Sequence, residues 1–292
     1  MRNTERNIQQ RIQDMYADRT QGASELAREG LDIAADAAYQ LSATNALALV
    51  TALQSLAHDI MITRTSMTPV YKLLHAWSEQ LEELTDIDLP TARQTAQNMA
   101  YDLVNQSLRF TQQLVQAAYY FIGENKTLFT HSLSSTLISI AEQLVDKNIN
   151  FIITESRPLN EGVILAEKLS KLAIPTTLIT EAQLGLFIKH ADLVFVGADS
   201  ILPDYSVVNK AETYLLALAA KAQNIPFYVC CESFKLRDEN MPHIALEEMA
   251  ASETCRETWD NVTIKNIYFD ITPPNLVTAW INENGVNPVP PN

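Results

Sequence analysis

Three cationic side chains lie a few residues beyond three short apolar runs in the second half of the chain. They are Arg157, Lys210 and Lys235. If those runs are parallel strands, their carboxyl ends meet at one edge of a sheet, where open α/β sheets bind their ligands. Each cation alone is adequately explained as a solvated surface charge. Together they favour an anionic ligand, and a phosphorylated small molecule fits Arg and Lys best.

A hydroxyl-rich turn, H-S-L-S-S-T at residues 131–136, follows the run Thr127–Thr130 and opens a helical pattern. The unbonded N–H groups at a helix start, together with Ser and Thr oxygens, would suit a phosphate group. Two further polar turns follow a later run: G-A-D-S at residues 197–200, and Asn209-Lys210 at another predicted helix start. These turns form the candidate ligand site.

Short apolar runs alternate with helical stretches from residue 124 onward. This alternation predicts a parallel sheet covered by helices on both faces. A sixth run, Ile267–Phe269, leads into D-I-T-P-P and one more predicted helix. The other runs predicted as strands are Thr127–Thr130, Asn150–Thr154, Thr176–Thr180, Leu193–Val196 and Phe227–Cys231.

The first part of the chain has the period of helices instead. Apolar residues recur three and four positions apart, Ala is frequent, and Gly and Pro are scarce. Gly123 is suited to cap the long helix predicted over 91–122. The predicted fold class is α/β, with a helical N-terminal domain over 1–122 and a Rossmann-like parallel-sheet domain over 123–292.

Composition narrows the classes of function. The 292 residues include 21 Lys+Arg and 35 Asp+Glu, and the formal net charge of −14 argues against nucleic acid or an anionic membrane surface as partner. None of the seven glycines forms G-x-G or G-K-[ST], which disfavours a dinucleotide oxidoreductase and predicts no cofactor. The five His and three Cys lack metal-ligand spacing, so no metal is expected. An adjacent Cys pair, with neither a signal peptide nor an apolar spanning run, predicts a cytoplasmic protein.

Several segments, in order, resemble the family of initiation factor 2B alpha, beta and delta subunits, which includes methylthioribose-1-phosphate isomerase and ribose-1,5-bisphosphate isomerase. The resemblance covers most of residues 18–285. Upstream, D-R-T-Q-G-A-S-E-L-A-R and T-R-T-S-M-T-P-V-Y-K-L-L resemble the family's R-x-x-G-A and R-P-T segments. The other matching segments are TLFTHSLSSTL, FIITESRPLNEG, IPTTLITEAQLG, ADLVFVGADSIL, SVVNKAETYLLALAA, IPFYVCCESFK and FDITPPNLVTAWINENG.

The resemblance implies a two-domain chain that forms a homodimer or higher homo-oligomer chiefly through the Rossmann-like domain. The family's isomerases convert a 1-phosphorylated aldose to the ketose without a metal, which requires an acid to open the ring and an acid/base pair to move hydrogen between C1 and C2. A Cys in T-H-C-N-S and an Asp in G-A-D take those roles in the family. Here the Asp is Asp199, but Ser132 replaces the Cys, and a Ser hydroxyl needs its own base.

The family's phosphate-binding positions are matched along the whole chain. The resemblance therefore implies a pocket for a phosphorylated pentose or nucleotide. Two functions stay open: an aldose–ketose isomerase with Asp199 and Ser132 in the catalytic positions, and a non-catalytic regulatory or initiation-factor-2B-like subunit that senses a sugar phosphate or nucleotide. The residues at the phosphate-binding positions are Arg19, Gly22, Arg64, Ser134, Arg157, Asn209, Lys210 and Lys235.

Five of the polar side chains near the site also have structural interpretations. Asp199 could cap a turn, and Ser132 could bind or cap rather than react. His131 is interpreted as a structural imidazole rather than as a general base. Cys231, at a strand end, is interpreted as a small buried apolar residue rather than as a replacement thiol. Asp270 is expected to line the pocket or form a turn.

Overall fold

The structure, a computed structural model, describes residues 8–289. The first seven residues of the predicted helical domain and the last three residues of the chain lie outside that range. The chain divides into two compact units, one ending at Arg109 and the other beginning at Phe110. The helices before the first strand are α1 (Ile8–Ala17), α2 (Ala23–Gln40), α3 (Ala46–Met61), α4 (Thr68–Gln80) and α5 (Leu89–Ile122).

Residues three and four positions apart bury the inner face of α2 in the first unit. Ala27, Leu31 and Ala34 have no exposed surface, because such a row of side chains faces the neighbouring helices. Trp77 of α4 is also fully buried, and its Nε1 donates a 2.9 Å hydrogen bond to the carbonyl of Ala96, which satisfies the indole N–H. The helical character predicted for this part of the chain is confirmed.

Up to residue 289, the second unit contains ten strands and five further α-helices. The strands are β1 (Thr127–Thr130), β2 (Asn150–Thr154), β3 (Thr176–Ile179), β4 (Leu193–Val196), β5 (Ser200–Ile201), β6 (Val207–Lys210), β7 (Phe227–Cys230), β8 (Phe269–Thr272), β9 (Ala279–Asn282) and β10 (Gly285–Pro288). The helices are α6 (Ser135–Gln143), α7 (Glu161–Lys171), α8 (Leu184–Phe187), α9 (Thr213–Ala222) and α10 (Ala251–Thr254).

Seven strands form one sheet in the order β10-β9-β7-β4-β1-β2-β3. All neighbours in it are parallel except β9 and β10, which form an antiparallel hairpin. The strands β5-β6-β8 form a small antiparallel sheet. The α/β fold class and the mostly parallel sheet are therefore confirmed, with strand order reversing beside β1 and β4.

Successive side chains of the parallel strands enter two different cores. Phe151 and Ile153 of β2 belong to one cluster, with side chains from the end of α5 and from α6 and α7. Ile152, between them, belongs to the other cluster, with Leu184 of α8 and Leu216 of α9. Because both faces of the sheet are covered, the inner strands are nearly continuous in apolar residues, as the sequence predicted, whereas the edge strand β3 has two exposed residues.

The end of the chain differs from the prediction. The sixth β run begins at Phe269 rather than at Ile267, and it joins the small sheet. The helix predicted after D-I-T-P-P is wrong, because only Pro274–Leu276 turn as a 3₁₀ helix before the β9–β10 hairpin. Gly285 has φ +106°, which favours glycine at this turn. Asn-Gly at 284–285 is a hairpin signal that the sequence analysis did not use.

Candidate functional site

Two serines join the turns that follow β1 and β2. Ser132 and Ser156 both have a left-handed backbone, with φ of +58° and +59°. The main-chain N–H of Ser132 donates a 2.7 Å hydrogen bond to Oγ of Ser156. A left-handed conformation costs a non-glycine residue about 1 kcal/mol or more, and such residues are concentrated at functional sites. The pair therefore marks the centre of the candidate site.

Glu161, the first residue of α7, links Ser132 to strand β6. Its Oε2 accepts a 3.0 Å hydrogen bond from Oγ of Ser132 and lies 2.9 Å from Nζ of Lys210. The same ammonium lies 3.9 Å from the ring centroid of Tyr268, in a cation–π contact. The Ser132 hydroxyl thus donates to a carboxylate that also pairs with a buried cation.

Gly162 allows α7 to begin directly against the end of β2. Its main-chain N–H donates a 3.1 Å hydrogen bond to the carbonyl of Glu155. A Cβ atom at this position would lie 1.8 Å from the carbonyl oxygen of Thr154, far closer than non-bonded atoms approach. The absence of a side chain at 162 therefore sets the position of Glu161 beside Ser132.

His131 is buried and bonds to the start of α9. Its Nε2 lies 2.9 Å from Oγ1 of Thr213, which donates to the carbonyl of Lys210 and accepts from Nδ2 of Asn209. Because the hydroxyl proton points to the carbonyl, Nε2 of His131 carries the ring proton. The Nδ1 atom keeps its lone pair and lies 3.8 Å from Oε2 of Glu212. The imidazole faces Thr213 and Glu212, whereas the Ser132 hydroxyl faces Glu161.

Burial shifts the pKa values of both His131 and Glu212. It lowers the pKa of His131 to about 4, against the opposing charges of Asp270 and Glu161. It raises the pKa of Glu212 to about 7, although hydrogen bonds involving Thr154 and Ser156 oppose the shift. At neutral pH the imidazole is therefore uncharged, and about half of the Glu212 carboxyl groups carry a proton. Glu212 also has a backbone φ of +118°, in the region that favours glycine.

Asp270 of β8 caps α9. Its Oδ2 accepts hydrogen bonds of 2.8 and 3.1 Å from the main-chain N–H groups of Glu212 and Tyr214. The residue lies opposite Asn209 in the β6–β8 register, and its burial raises the pKa of the carboxyl group. Asp270 thus holds the start of α9, where Glu212 and Thr213 meet His131.

Lys235 is tied to the G-A-D turn. Its Nζ donates a 2.8 Å hydrogen bond to the carbonyl of Ala198 and lies 3.4 Å from Oε2 of Glu232. Burial alone would lower the pKa of Lys235, but the negative charges of Glu232 and Asp199 outweigh it and raise the pKa. Lys235 therefore stays charged within the fold, with the charge of half-buried Asp199 among those acting on it.

Six of the predicted site residues have contacts at the turns after β1 and β4 or at the end of β6: Ser134 and Lys235 contact the G-A-D turn, Ser132 and Lys210 share Glu161, and Asn209 bonds Thr213. Ser134 caps α6 by accepting a 3.3 Å hydrogen bond from the N–H of Leu137. A Cβ atom on Gly197 would lie 2.9 Å from Oγ of Ser134, so the two turns touch. The N–H of Asp199 donates to the carbonyl of Val208 in β6. The six residues are Ser132, Ser134, Asp199, Asn209, Lys210 and Lys235.

The guanidinium of Arg157 contacts the segment around Thr254. Its main-chain N–H donates a 2.6 Å hydrogen bond to Oε1 of Glu181, and its guanidinium donates to the carbonyl of Thr254, 3.3 Å away. With residues 252–257 it lines a cavity of about 750 Å³. The Arg157 guanidinium therefore lies at this cavity, whereas Glu181, which accepts from its main-chain N–H, is among the charges that act on His131.

The predicted site residues of the first unit lie together within that unit. Arg19 and Arg64 both donate to the carbonyl of Asp18, over 2.8 and 3.0 Å. Gly22 is the N-cap residue of α2, and its N–H donates a 3.1 Å hydrogen bond to the Glu25 carboxylate. Both guanidinium groups thus hold the loop that precedes α2.

The buried thiol after β7 fits the structural interpretation. Cys231 is only 4% exposed, and burial raises its pKa to about 12. A thiolate is therefore not available from Cys231 at neutral pH.

Glu161, Ser156, Glu212 and Thr213 were missed as site residues by the sequence analysis. All four lie inside the segments that resembled the family. Their positions next to the named site residues were the only signal, because sequence alone did not indicate that the two carboxylates are buried.

Two features of residues 8–289 bear on other classes of function. No helix in that range is long and apolar enough to cross a membrane. No group of three or more His, Cys, Asp or Glu side chains in the same range could hold a metal ion.

The chain is similar to known proteins over almost its whole length. The sequence model of the Initiation factor 2 subunit family matches residues 19–289. A Pyrococcus horikoshii protein described as translation initiation factor eIF-2B subunit 2-like is 32% identical over 277 residues, 94% of each chain. Ribose 1,5-bisphosphate isomerase of Methanocaldococcus jannaschii is 32% identical over 195 residues, 65% of this chain and 63% of the isomerase. The crystal structure of the P. horikoshii OT3 translation initiation factor eIF-2B matches with a TM-score of 0.82, 30% identity and 97% of each chain covered.

Proposed function

This chain belongs to the initiation factor 2 subunit family, and we propose that it binds a phosphorylated pentose or nucleotide without isomerising it. One observation carries the proposal: the Ser132 hydroxyl, at the position implied for the catalytic Cys, donates to Glu161, which also pairs with Lys210. Because Glu161 is paired with Lys210, it is a poor base for the Ser132 proton, and a hydroxyl without an effective base is too weak an acid and base to shuttle the proton between C1 and C2. The neighbouring imidazole bonds Thr213 instead.

Binding itself is supported by the residues around the G-A-D turn. Lys210 and Lys235 are buried cations, and Asn209, Ser132 and Ser134 supply neutral polar groups close by. Arg and Lys with nearby hydroxyl groups are the usual partners of phosphate in proteins. The ribose 1,5-bisphosphate isomerase among the relatives acts on a ligand of this class. We assign the phosphate of the ligand to these positions.

The lengths of the matches favour a regulatory role. The subunit 2-like relative matches over 94% of both chains, whereas the isomerase matches over 63% of its own length. In this proposal the chain is a cytoplasmic homodimer or higher homo-oligomer that responds to the sugar phosphate. An active isomerase is the second candidate, and the retained Asp199, whose charge acts on Lys235, is the observation that favours it.

Incubation with ribose 1,5-bisphosphate and with methylthioribose 1-phosphate tests the assignment. We expect that at least one of them raises the melting temperature of the protein and that neither is converted to a ketose. Turnover by the natural protein that disappears in Asp199→Asn would show instead that the chain is an isomerase.

Restoring the thiol gives a sharper prediction. Ser132→Cys is expected to produce ketose from a ligand that the natural protein binds but does not convert, because a thiol titrates near neutrality and a hydroxyl does not. Ser132→Ala is the matched control, which should bind the ligand and remain inactive. If Ser132→Cys binds the ligand and still forms no ketose, the missing thiol is not what prevents the reaction.

A further inference from the structure

Glu161 occupies the position that an anionic ligand would take between Ser132 and Lys210. Its Oε2 lies 3.0 Å from the hydroxyl oxygen and 2.9 Å from the ammonium nitrogen. A phosphate oxygen bound to the same two groups would make contacts of the same length. The hydroxyl and the ammonium both belong to buried residues, so one negative oxygen from within the protein already serves both.

The carboxylate is held at this position from three sides. Glu161 is the first residue of α7, where the helix dipole favours a negative charge. Gly162 lies against the carbonyl of Thr154, which fixes the start of the helix. The N–H of Ser132 is bonded to Ser156, which fixes the turn carrying the hydroxyl. Moving Glu161 aside therefore breaks contacts that the folded protein makes.

We propose that Glu161 is a specificity-determining residue, which excludes inorganic anions from Lys210 and admits a phosphate ester only if its hydroxyl groups donate to the carboxylate. Inorganic phosphate at neutral pH offers mainly negative oxygens to Glu161, which repel it. A sugar phosphate also offers hydroxyl donors, which replace the Ser132 hydroxyl at Oε2 while the ester's phosphate binds nearby. This inference rests on the proposed function, whose ligand class it narrows to polyhydroxylated phosphate esters.

The surrounding charges strengthen the exclusion. Against the effect of burial, the charges of Asp270, Glu161 and Glu181 raise the pKa of His131, and the charge of Lys210 lowers it. Three carboxylates and one ammonium therefore act on the same imidazole, beside the Ser132–Glu161–Lys210 contacts. An anion without hydroxyl groups meets this net negative charge, which solvent screens only in part because the three carboxylates are partly buried.

Titration calorimetry with inorganic phosphate and with ribose 1,5-bisphosphate tests the inference. In Glu161→Gln, we expect affinity for inorganic phosphate to rise by about tenfold or more, so that the preference for the sugar phosphate falls. Glu167→Gln is the matched control, because Glu167 lies on the same helix and pairs with exposed Lys171. Adding Lys210→Met to Glu161→Gln should remove the gain. Glu161→Ala provides a second variant with the same expected direction.

The possible outcomes separate this inference from the proposed function. If the natural protein binds the sugar phosphate but Glu161→Gln and Glu161→Ala bind inorganic phosphate no more tightly than Glu167→Gln, the inference is wrong and the proposed function stands. If the natural protein binds no sugar phosphate while Glu161→Gln gains phosphate binding that depends on Lys210, the exclusion is supported and the proposed function fails. If no variant binds either compound, both are wrong.

Discussion

Replacing Gly162 by alanine is expected to lower the free energy of unfolding by about 3 kcal/mol. The added Cβ atom would lie 1.8 Å from the carbonyl oxygen of Thr154 and 3.2 Å from the carbonyl carbon of Glu155. Both neighbours are backbone atoms at the end of β2, so no side-chain rotation relieves the clash. Either α7 moves away from the sheet or the last residues of β2 leave their hydrogen bonds with β3.

Urea unfolding followed by far-ultraviolet circular dichroism measures this effect, and Gly185→Ala is its matched control. Gly185 lies in α8, and a Cβ atom there meets nothing within 4 Å. The control should therefore leave the stability unchanged or raise it by up to about 1 kcal/mol, because alanine favours a helix more than glycine does. Equal stability of the two variants would show that α7 does not need the close approach at Gly162.

The strands of the parallel sheet could be predicted from sequence because they are buried on both faces. Thr127–Thr130 and Leu193–Val196 were predicted with the bounds that the structure has. By contrast, the segment after D-I-T-P-P was predicted as one more helix, and it contains the strand Ala279–Asn282 instead. Its hydrogen bonds with β7, a tertiary contact, make it a strand. Local sequence could not show that contact.

In the candidate site, too, some residues could be predicted from sequence and others could not. Ser132 and Asp199 could be predicted because they follow β1 and β4, neighbouring parallel strands whose carboxyl ends meet. Lys210 was predicted at a helix start, but it ends strand β6 of the small antiparallel sheet. Glu161 and Glu212 could not be predicted, because a carboxylate in a polar turn is usually exposed. Their burial depends on which turns touch at the sheet edge. The backbone φ of +118° at Glu212 could not be predicted either, because this conformation is rare for a glutamate.

The buried pair His131 and Glu212 should give opposite pH dependences of stability. The pKa of Glu212 rises from 4.5 to about 7 on folding, so the folded protein holds an extra proton between these values. Its contribution to stability is fully present below pH 4.5 and is lost as the pH rises through about 7. The pKa of His131 falls from 6.5 to about 4, so its contribution is present above pH 6.5 and is lost as the pH falls through about 4.

The two contributions oppose each other between pH 4.5 and 6.5, the window in which both titrations overlap. Each changes the free energy of unfolding by up to about 1.4 kcal/mol per pH unit, with opposite sign. The natural protein should therefore show almost no slope from this pair, although either group alone would produce a large one. Substituting one of the two residues removes its own contribution, so the free energy of unfolding then shows the pH dependence due to the other.

Glu212→Gln resembles the protonated carboxyl, so its stability relative to the natural protein should increase with pH across this window by up to about 1.4 kcal/mol per unit. His131→Gln resembles the neutral imidazole, and its relative stability should decrease with pH by a similar amount. Urea unfolding at several pH values measures both slopes, and Glu167→Gln, on an exposed carboxylate, should show neither. Slopes of the same sign in the two variants would refute the assignment. Opposite slopes would show that the lone pair of Nδ1 and the Glu212 carboxyl are buried together, because only a desolvated pair shifts both pKa values toward the neutral forms.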